Sequence, residues 1–178
     1  MGEHGAHVLR VAVGADDWRR GPDDAPVTLV EYGDFQCPHC GAAYRVLEEL
    51  LAQFPGRVRL VYRHFPLMSS HPRALPAAIA AEAAGAQGRF WEMHHLLFEN
   101  QHALGDDELV EYANRIGLDM ERFRADFEGR LNESKIREQL RQGARSGVNG
   151  TPTIFVNGER YDGPRTVEAL AQAVAAAG

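Results

Sequence analysis

Two strand-like stretches flank one amphipathic helix within residues 27 to 63, and this arrangement restricts the fold more than any other feature of the chain. Val27 to Tyr32 is apolar and β-branched apart from Glu31, which is typical of a buried strand. Apolar side chains then recur every three or four residues, as in a helix that Pro55-Gly56 ends; they are Tyr44, Leu47, Leu50, Leu51 and Phe54. Arg57 to Arg63 alternates as a second strand. Such a β-α-β unit implies parallel strands and a right-handed crossover, so an α/β fold is expected.

The rest of the chain divides into a helical part and a second β part. Residues 72–146 contain no strand pattern, and their amphipathic or Ala-rich stretches predict helices, with a short turn around Met120 to Phe127. Thr153 to Asp162 is typical of two short strands joined at Asn157-Gly158, a favoured hairpin turn. An amphipathic helix over Val167 to Ala177 is predicted to close the chain.

These patterns predict three segments. Residues 1–26 form a polar lead-in, within which His7 to Val13 is apolar enough for an edge strand. Residues 27–71 and 147–178 together form the α/β domain, and residues 72–146 form a helical insertion domain between its two halves. The predicted order is therefore β-α-β, helical insert, β-β-α.

Charge and hydropathy exclude several classes of protein. The 19 Lys and Arg residues oppose 25 Asp and Glu residues, giving a net charge of −6 with no long basic run. Because proteins that bind nucleic acid through its phosphates carry a basic field, no nucleic-acid partner is expected. No segment approaches the roughly 20 apolar residues of a membrane span. The first 25 residues lack the apolar core of an export signal, so the chain as given is expected in the cytoplasm, or exported if a signal was removed.

The two cysteines of the chain lie in Cys37-Pro38-His39-Cys40, where the first predicted strand meets the helix. Helical residues three apart share one face, so a disulfide needs only modest adjustment. Cys37 is expected to be exposed at the helix start, where unpaired N–H groups and the helix dipole stabilise a thiolate, with the resolving thiol Cys40 one turn in, beneath it. A protonated His39 would stabilise this thiolate further, and Pro38 suits the first turn.

A metal site is the main alternative interpretation of the cysteine pair. Cys-x-x-Cys is half of many structural zinc sites, and eight histidines are available as further ligands. Such sites usually need a second compact ligand pair, and the sequence has no second Cys-x-x-Cys and no His-x3-His. A redox pair is therefore the preferred interpretation, an inert pair the remaining one, and neither a metal nor a cofactor is expected.

Glu31 and Thr151-Pro152 are the other candidate site residues. Glu31 lies in an otherwise apolar strand, where burial would raise the pKa of its carboxyl and let it relay protons from Cys40; the alternative is a carboxylate turned to water. Pro152 opens the late strand and donates no ladder hydrogen bond, which leaves backbone groups free to pair with an extended peptide. From the residues alone, an ordinary trans bond is expected before Pro152.

Four features together resemble the DsbA-like thiol oxidoreductases of the thioredoxin superfamily, over about residues 26 to 175. They are Phe35 to Cys40, the preceding strand with Glu31, the helical insert, and Gly150 to Thr153. The resemblance implies a thioredoxin-like fold split by a helical domain, with Cys37 as nucleophile and Cys40 as resolving thiol. It also implies that Glu31 is the family's buried acid and that Thr151-Pro152 is the cis-proline loop that faces the dithiol and helps to dock substrate. Thr before this proline also occurs in isomerase-like members of the superfamily.

These inferences favour a thiol-disulfide oxidoreductase that oxidises protein or peptide cysteines and depends on a redox partner to recycle its dithiol. The oxidising direction follows because stabilising the Cys37 thiolate favours the reduced form of the protein. A monomer or weak dimer is expected. The alternatives are a reductase or isomerase of the thioredoxin type, and a non-catalytic module that senses redox state or binds a partner.

Overall fold

The computed structural model describes residues 7–178, in which one sheet is packed between helices. Its strands are β1 (Trp18–Arg20), β2 (Val27–Gly33), β3 (Val58–His64), β4 (Thr153–Val156) and β5 (Glu159–Tyr161). Its helices are α1 (Pro38–Gln53), α2 (Ala74–Gly85), α3 (Phe90–Glu99), α4 (Asp106–Arg115), α5 (Met120–Glu128), α6 (Glu133–Arg145) and α7 (Val167–Ala177). The strand order in the sheet is β1-β3-β2-β4-β5. No helix within these residues is both long and apolar enough to cross a bilayer.

The predicted β-α-β unit is confirmed and forms the centre of the sheet. β2 and β3 pair in parallel, with Glu31 opposite Tyr62, and α1 connects them. β4 pairs with β2 in the antiparallel direction and β5 with β4, while β1 pairs antiparallel with β3. The α/β fold class is therefore confirmed, and β2 lies between two hydrogen-bonded neighbours over most of its length.

Alternation along β2 and β3 sends side chains to two different cores. Leu29 and Leu60 pack with Leu47 and Leu50 of α1 and with Leu170 of α7 on one face. The opposite face is built from Val30, Tyr32, Val61, Phe65, Val148 and Phe155. Because both faces are covered, every residue of β2 except the partly exposed Thr28 is buried, the acidic Glu31 among them.

Five helices, α2 to α6, lie between β3 and β4 in the chain, where the sequence predicts the helical insert. Helix α2 lies at the centre of this group and contacts α3, α4, α5 and α6. Its many alanines have small side chains, which let the other helices approach it closely. The short turn predicted around Met120 to Phe127 is wrong, since this stretch is helix α5. Asp119 caps that helix by accepting from the Arg122 backbone N–H, and the rings of Phe123 and Phe127 stack along one side.

The lead-in differs from the edge strand predicted over His7 to Val13. This stretch forms one isolated bridge, between Val8 and Glu159 of β5, and the strand of the lead-in is β1, at the opposite edge of the sheet. The buried guanidinium of Arg63 explains the difference, because it binds the carbonyl oxygens of Val11 and Ala12 at 2.9 and 3.2 Å and withdraws them from strand pairing. Residues 1–6, the start of the predicted lead-in, lie outside the described residues.

Glu82 of α2 connects the helices to the sheet. Its buried carboxylate accepts from the Trp18 indole N–H and lies 2.9 Å from Lys135 Nζ and 3.3 Å from His64 Nε2. Burial alone would raise the pKa of Glu82, but the hydrogen bond and charge of His64, together with Lys135, lower it to about 2. The charged form is thus held by partners on β3 and α6 as well as β1.

We expect Glu82→Gln to lower the free energy of unfolding by about 3 kcal/mol at neutral pH, because the amide leaves the Lys135 ammonium without its buried counter-charge and replaces the acceptor of the Trp18 indole N–H with a neutral group. A carboxyl whose pKa is lower in the folded than in the unfolded chain stabilises the folded state at pH values above its ordinary pKa. The difference between variant and parent should therefore shrink as the pH falls from 4.5 toward 2. Urea unfolding across this range measures it, with Glu111→Gln on the exposed side of α4 as the control. Equal losses in both variants, or a loss that does not depend on pH, would contradict the role given to Glu82.

Candidate active site

Cys37 is the last residue of the short connection between β2 and α1. It is the N-cap of the helix, with φ −69° and ψ 121°, and Pro38 occupies the first helical position, where a missing N–H costs nothing. The Cys37 carbonyl accepts from the N–H groups of Cys40 and Gly41 at 3.0 and 3.1 Å, which starts the helix. This local geometry puts both side chains of the motif on one side of the first turn.

Both cysteines are free thiols, and both are buried. Cys40 is 0% exposed, as expected for a residue beneath the helix start, but Cys37 is only 3% exposed. The expectation of an exposed Cys37 is therefore wrong. The loop before β4 covers it, with the carbonyl oxygen of Thr151 3.6 Å from Cys37 Sγ, where it can accept from the thiol when Cys37 is protonated. Any group that reacts with Cys37 thus has to approach its sulfur past this loop.

The surroundings drive the pKa values of the two thiols in opposite directions. A hydrogen bond from the Cys40 thiol, the Thr151 side chain and the backbone N–H groups of Cys40 and His39 lower the pKa of Cys37 to about 5, against the opposing effect of burial. Burial raises the pKa of Cys40 well above its ordinary value, and the hydrogen bond to Cys37 and the charge of Glu31 add to the increase. At neutral pH, Cys37 is a thiolate and Cys40 a thiol.

Glu31 lies on the α1 face of β2, beneath the dithiol. Leu29, two residues before it, packs against α1, and alternation along the strand turns Glu31 the same way. Its side chain is 1% exposed, so the alternative of a carboxylate turned to water does not occur. Burial, and then the negative charge of Cys37, raise the pKa of Glu31 to about 8. Its Oε1 atom has no hydrogen-bond partner within residues 7–178, which leaves it able to accept a proton.

The Thr151-Pro152 peptide bond is cis, as the DsbA-like resemblance implies and contrary to the trans bond expected from the residues alone. Pro152 is buried and β4 begins at the next residue, Thr153, which ties its hydroxyl back to the Gly150 carbonyl at 2.8 Å. The loop therefore presents the Thr151 carbonyl to Cys37 from a fixed position.

His39 and Pro38 are both exposed in the first turn of α1. The contribution of His39 to the low pKa of Cys37 comes from its backbone N–H. The stabilising charge expected of its imidazole stays a prediction. The ring lines a surface cleft together with residues of the loop between β5 and α7.

Asp34 is a site residue that sequence reasoning missed. Its buried carboxylate accepts four hydrogen bonds, from the backbone N–H groups of Gln36, Cys37 and Leu67 and from His71 Nδ1, at 2.7, 3.1, 2.9 and 2.8 Å. It therefore ties the loop that carries Cys37 to the loop between β3 and α2. An Asp three residues before the Cys37 N-cap is typical of a local turn that could have indicated the first two bonds.

Asp34→Asn should lower the free energy of unfolding by about 2 kcal/mol, because an amide has one acceptor oxygen and turns its NH₂ group toward other donors. Chemical unfolding at neutral pH measures the loss. Asp16→Asn makes the same change on an exposed side chain of the lead-in and should have little effect. If the two variants are equally stable, the four hydrogen bonds of Asp34 do not hold the loop.

Gln101 is the second missed residue, and it closes the site from the side of the helices. Its Nε2 atom donates to the carbonyl oxygens of Phe35 and Cys37 at 2.9 and 2.8 Å. Gly41 leaves room for it, since a Cβ there would collide with the Gln101 side chain. The connection after α3 is therefore fastened to the start of α1.

The described part of the chain contains no cluster of side chains that would support the alternative of a metal site. Across residues 7–178, no three His, Cys, Asp or Glu side chains are arranged to hold an ion. The free thiols of Cys37 and Cys40 instead have each other, Thr151 and Glu31 as neighbours. This arrangement supports exchange between one activated thiolate and one protonated thiol.

Solved structures similar to this chain are thioredoxin-like and DsbA-like proteins. A thioredoxin-like oxidoreductase from Silicibacter pomeroyi superposes with a TM-score of 0.82 at 29% identity, covering 92% of this chain and 93% of that one. BdbD from Bacillus subtilis has a TM-score of 0.79 at 22% identity and covers 89% and 91% of the two chains. For α-DsbA1 from Wolbachia pipientis the TM-score is 0.79 at 19% identity, with 92% of each chain covered. The thioredoxin-like fold is therefore confirmed.

Curated relatives are more similar in sequence but much longer. Na⁺/H⁺ antiporter NhaA 1 from Salinispora arenicola is 50% identical over 170 residues, which are 95% of this chain and 26% of that protein. The protein of the same name from Mycolicibacterium gilvum is 43% identical over 176 residues, which are 97% and 28% of the two. The chain thus spans about a quarter of the length of the curated relatives it matches.

The sequence pattern of the thioredoxin family matches residues 15–176, which include both cysteines, the helices between β3 and β4, and the cis-proline loop. This match and the DsbA-like structural neighbours confirm the resemblance seen in the sequence. The chain belongs to the thioredoxin family.

Proposed function

We propose that this chain oxidises pairs of cysteines in proteins or peptides through a Cys37–Cys40 disulfide. The observation that carries the proposal is the position of Cys37, at the N-cap of α1 and against the Thr151 carbonyl of the cis-proline loop, with Cys40 buried beneath it. One sulfur is thus placed to meet a substrate, and the other is reserved for the internal bond. The DsbA-type names of the structural neighbours support the same activity.

The direction of the reaction follows from the two thiol environments. The pKa of Cys37 is lowered to about 5, chiefly by the hydrogen bond from Cys40, so the reduced protein gains stability from its thiolate. Any interaction that stabilises the reduced form makes the disulfide form a stronger oxidant. The dithiol is therefore expected to donate its disulfide rather than reduce others.

Two exchange steps complete the reaction. A substrate thiolate attacks the Cys37 sulfur of the disulfide form, which creates a mixed disulfide and releases Cys40, and Cys40 then takes up a proton. A second substrate thiolate attacks the substrate sulfur of the mixed disulfide and releases Cys37 as a thiolate. The substrate loses two electrons and two protons in forming its disulfide. A redox partner then removes two electrons from Cys37 and Cys40 and restores the starting state.

The reduction potential of the dithiol tests this proposal. Equilibration with glutathione redox buffers, followed by alkylation and mass spectrometry, should give a value above about −180 mV, the range of oxidising members of the superfamily. A value near about −270 mV, as for reducing thioredoxins, would show that the chain works in the opposite direction. A Cys37→Ala variant, which cannot form the internal bond, is the control for the alkylation assay.

A second candidate function is that of a redox-sensing module within or beside a larger protein. It is favoured by the relatives that share at least 42% identity with this chain, are about four times as long and are named Na⁺/H⁺ antiporters. In this role the dithiol would change its redox state without turning over free peptides. Oxidation of a free dithiol peptide by the isolated chain supports the first function. Equilibration with glutathione without any peptide oxidation would support the second.

A further inference from the structure

Two surface clefts flank the site on the side of the loop between β5 and α7. One, of about 300 Å³, is lined by Thr151, Pro152, Arg160 and Arg165 among others. The other, of about 430 Å³, is lined by His39, Val46, Pro164 and Arg165 among others. The clefts meet at Gly163 and Arg165, so Arg165 stands between the cis-proline loop and the first turn of α1.

Arg165 is the cation of these clefts that has no carboxylate partner within the described residues. Arg160 is neutralised by Asp162 at 2.8 Å and also donates to the Gly147 carbonyl at 3.0 Å. Within residues 7–178, the exposed side chain of Arg165 forms one long contact, 3.5 Å from its Nη1 to the carbonyl oxygen of Pro152. Its guanidinium therefore keeps most of its hydrogen-bond donors free for a ligand.

The free positive charge of Arg165 lies at the loop that covers the Cys37 sulfur, which is the atom that reacts in the proposed function. Arg165 contacts the carbonyl of Pro152, and the carbonyl of the preceding residue, Thr151, contacts Cys37 Sγ at 3.6 Å. A peptide joined to Cys37 through a disulfide has to pass the Thr151 loop that covers this sulfur, and Thr151 and Pro152 of that loop line the first cleft. Clefts of this size are at the small end of ligand sites and suit one or two residues of an extended peptide.

We propose that Arg165 selects substrates that carry a carboxylate next to their reacting cysteine. The inference rests on the proposed function and adds a substrate class to it. Carboxylates pair with guanidinium groups through charge-assisted hydrogen bonds, often two at a time. The net charge of the chain is −6, so its overall field disfavours acidic peptides. Attraction of an acidic peptide to this site therefore has to come from a local contact, which the free guanidinium of Arg165 can provide.

Three peptides that differ at one position test the selection. Each has the same sequence with two cysteines, and glutamate, glutamine or lysine next to the first of them. The second-order rate constant for oxidation by the disulfide form of the protein should fall in the order glutamate, glutamine, lysine. Arg165→Glu should lower the ratio of the glutamate to the lysine rate constant by at least about tenfold, because it replaces an attraction with a repulsion. Arg165→Lys should retain part of the preference.

The control variant is Arg124→Glu, which makes the same charge change on the exposed side of α5. It should leave the ratio close to that of the parent chain. Equal rates for the three peptides with the parent chain, a preference for lysine, or equal effects of the two arginine variants would overturn the inference. Failure of the parent chain to oxidise even the glutamine peptide would instead overturn the proposed function. Even if an Arg165 variant does not fold, equal rates for the three peptides or a preference for lysine in the parent chain still overturns the inference, and Arg165→Lys gives a second variant for the assignment.

Discussion

Cys40→Ala should accumulate a mixed disulfide between Cys37 and its substrate, whereas Cys37→Ala should accumulate none. The reason is the division of the two thiols, since the pKa of Cys37 is about 5 while burial raises that of Cys40 well above its ordinary value. Of the two protein thiols, only Cys37 can attack a peptide disulfide at neutral pH, and Cys40 is the one placed to release the adduct. Loss of Cys37 should lower the rate of exchange by at least about 1000-fold, as expected when a nucleophile is removed.

Incubation of each variant with a disulfide-bonded peptide, acid quenching and intact-mass measurement detects the adduct directly. The parent chain should release the adduct quickly, and the double variant should form none. The Cys40→Ala substitution also changes the reactivity of Cys37, because the hydrogen bond from Cys40 is the largest influence that lowers the pKa of Cys37. The Cys40→Ala variant should therefore form its adduct more slowly below neutral pH than the parent chain. Equal trapping by the two single variants would refute the separate roles of the thiols.

Local patterns were sufficient for the central part of the fold. The apolar, β-branched run of Val27 to Tyr32, the helical spacing after it and the alternation of Arg57 to Arg63 are all patterns between residues close in sequence. The structure has the predicted parallel pair. Helix α5 was missed because its few apolar residues, Phe123 and Phe127 among them, make too short a pattern to distinguish a helix from a turn. Its N-cap, Asp119, was the available signal.

The parts of the site that the sequence did not predict depend on contacts between distant residues. Cys37 is covered by Thr151, more than a hundred residues later, so the motif alone suggests an exposed thiol while the fold buries it. Asp34 reaches His71, and Gln101 reaches the Cys37 carbonyl. Neither pairing has a periodic pattern in the sequence. The cis bond at Pro152 is similar, because the residues alone favour trans and only the resemblance to a family indicated the cis isomer.

Glu31→Gln should stabilise the protein at neutral pH. Burial raises the pKa of Glu31 from 4.5 to about 8, so folding has to protonate a carboxyl that is ionised in the unfolded chain. An acid whose pKa is higher in the folded than in the unfolded chain destabilises the folded state above its ordinary pKa. For Glu31, the loss in free energy of unfolding therefore begins above pH 4.5 and grows as the pH rises toward 8. The amide should raise the free energy of unfolding by about 2 kcal/mol at neutral pH. This gain is smaller than the free-energy cost of protonating Glu31 on folding, because the buried NH₂ group of the glutamine also lacks a hydrogen-bond partner. Urea unfolding should show no gain below pH 4.5, and Glu111→Gln should show none at any pH.

The same substitution should slow the release of the mixed disulfide by about 100-fold, the usual loss when a general base is removed. Cys40 must lose its proton before it attacks the adduct at Cys37, and the carboxylate form of Glu31 is the buried base beneath both sulfurs. Loss of the Glu31 charge also lowers the pKa of Cys40, which opposes the effect. In the mixed disulfide the Cys37 sulfur carries no charge, so burial alone is left to raise the pKa of Glu31. In stopped-flow measurements, the release rate of the parent chain should therefore rise with an inflection above pH 4.5 and below pH 8. The variant should lack that inflection while its first attack, by Cys37, keeps the parent's pH dependence. Superimposable release profiles would show that Cys40 loses its proton by another route.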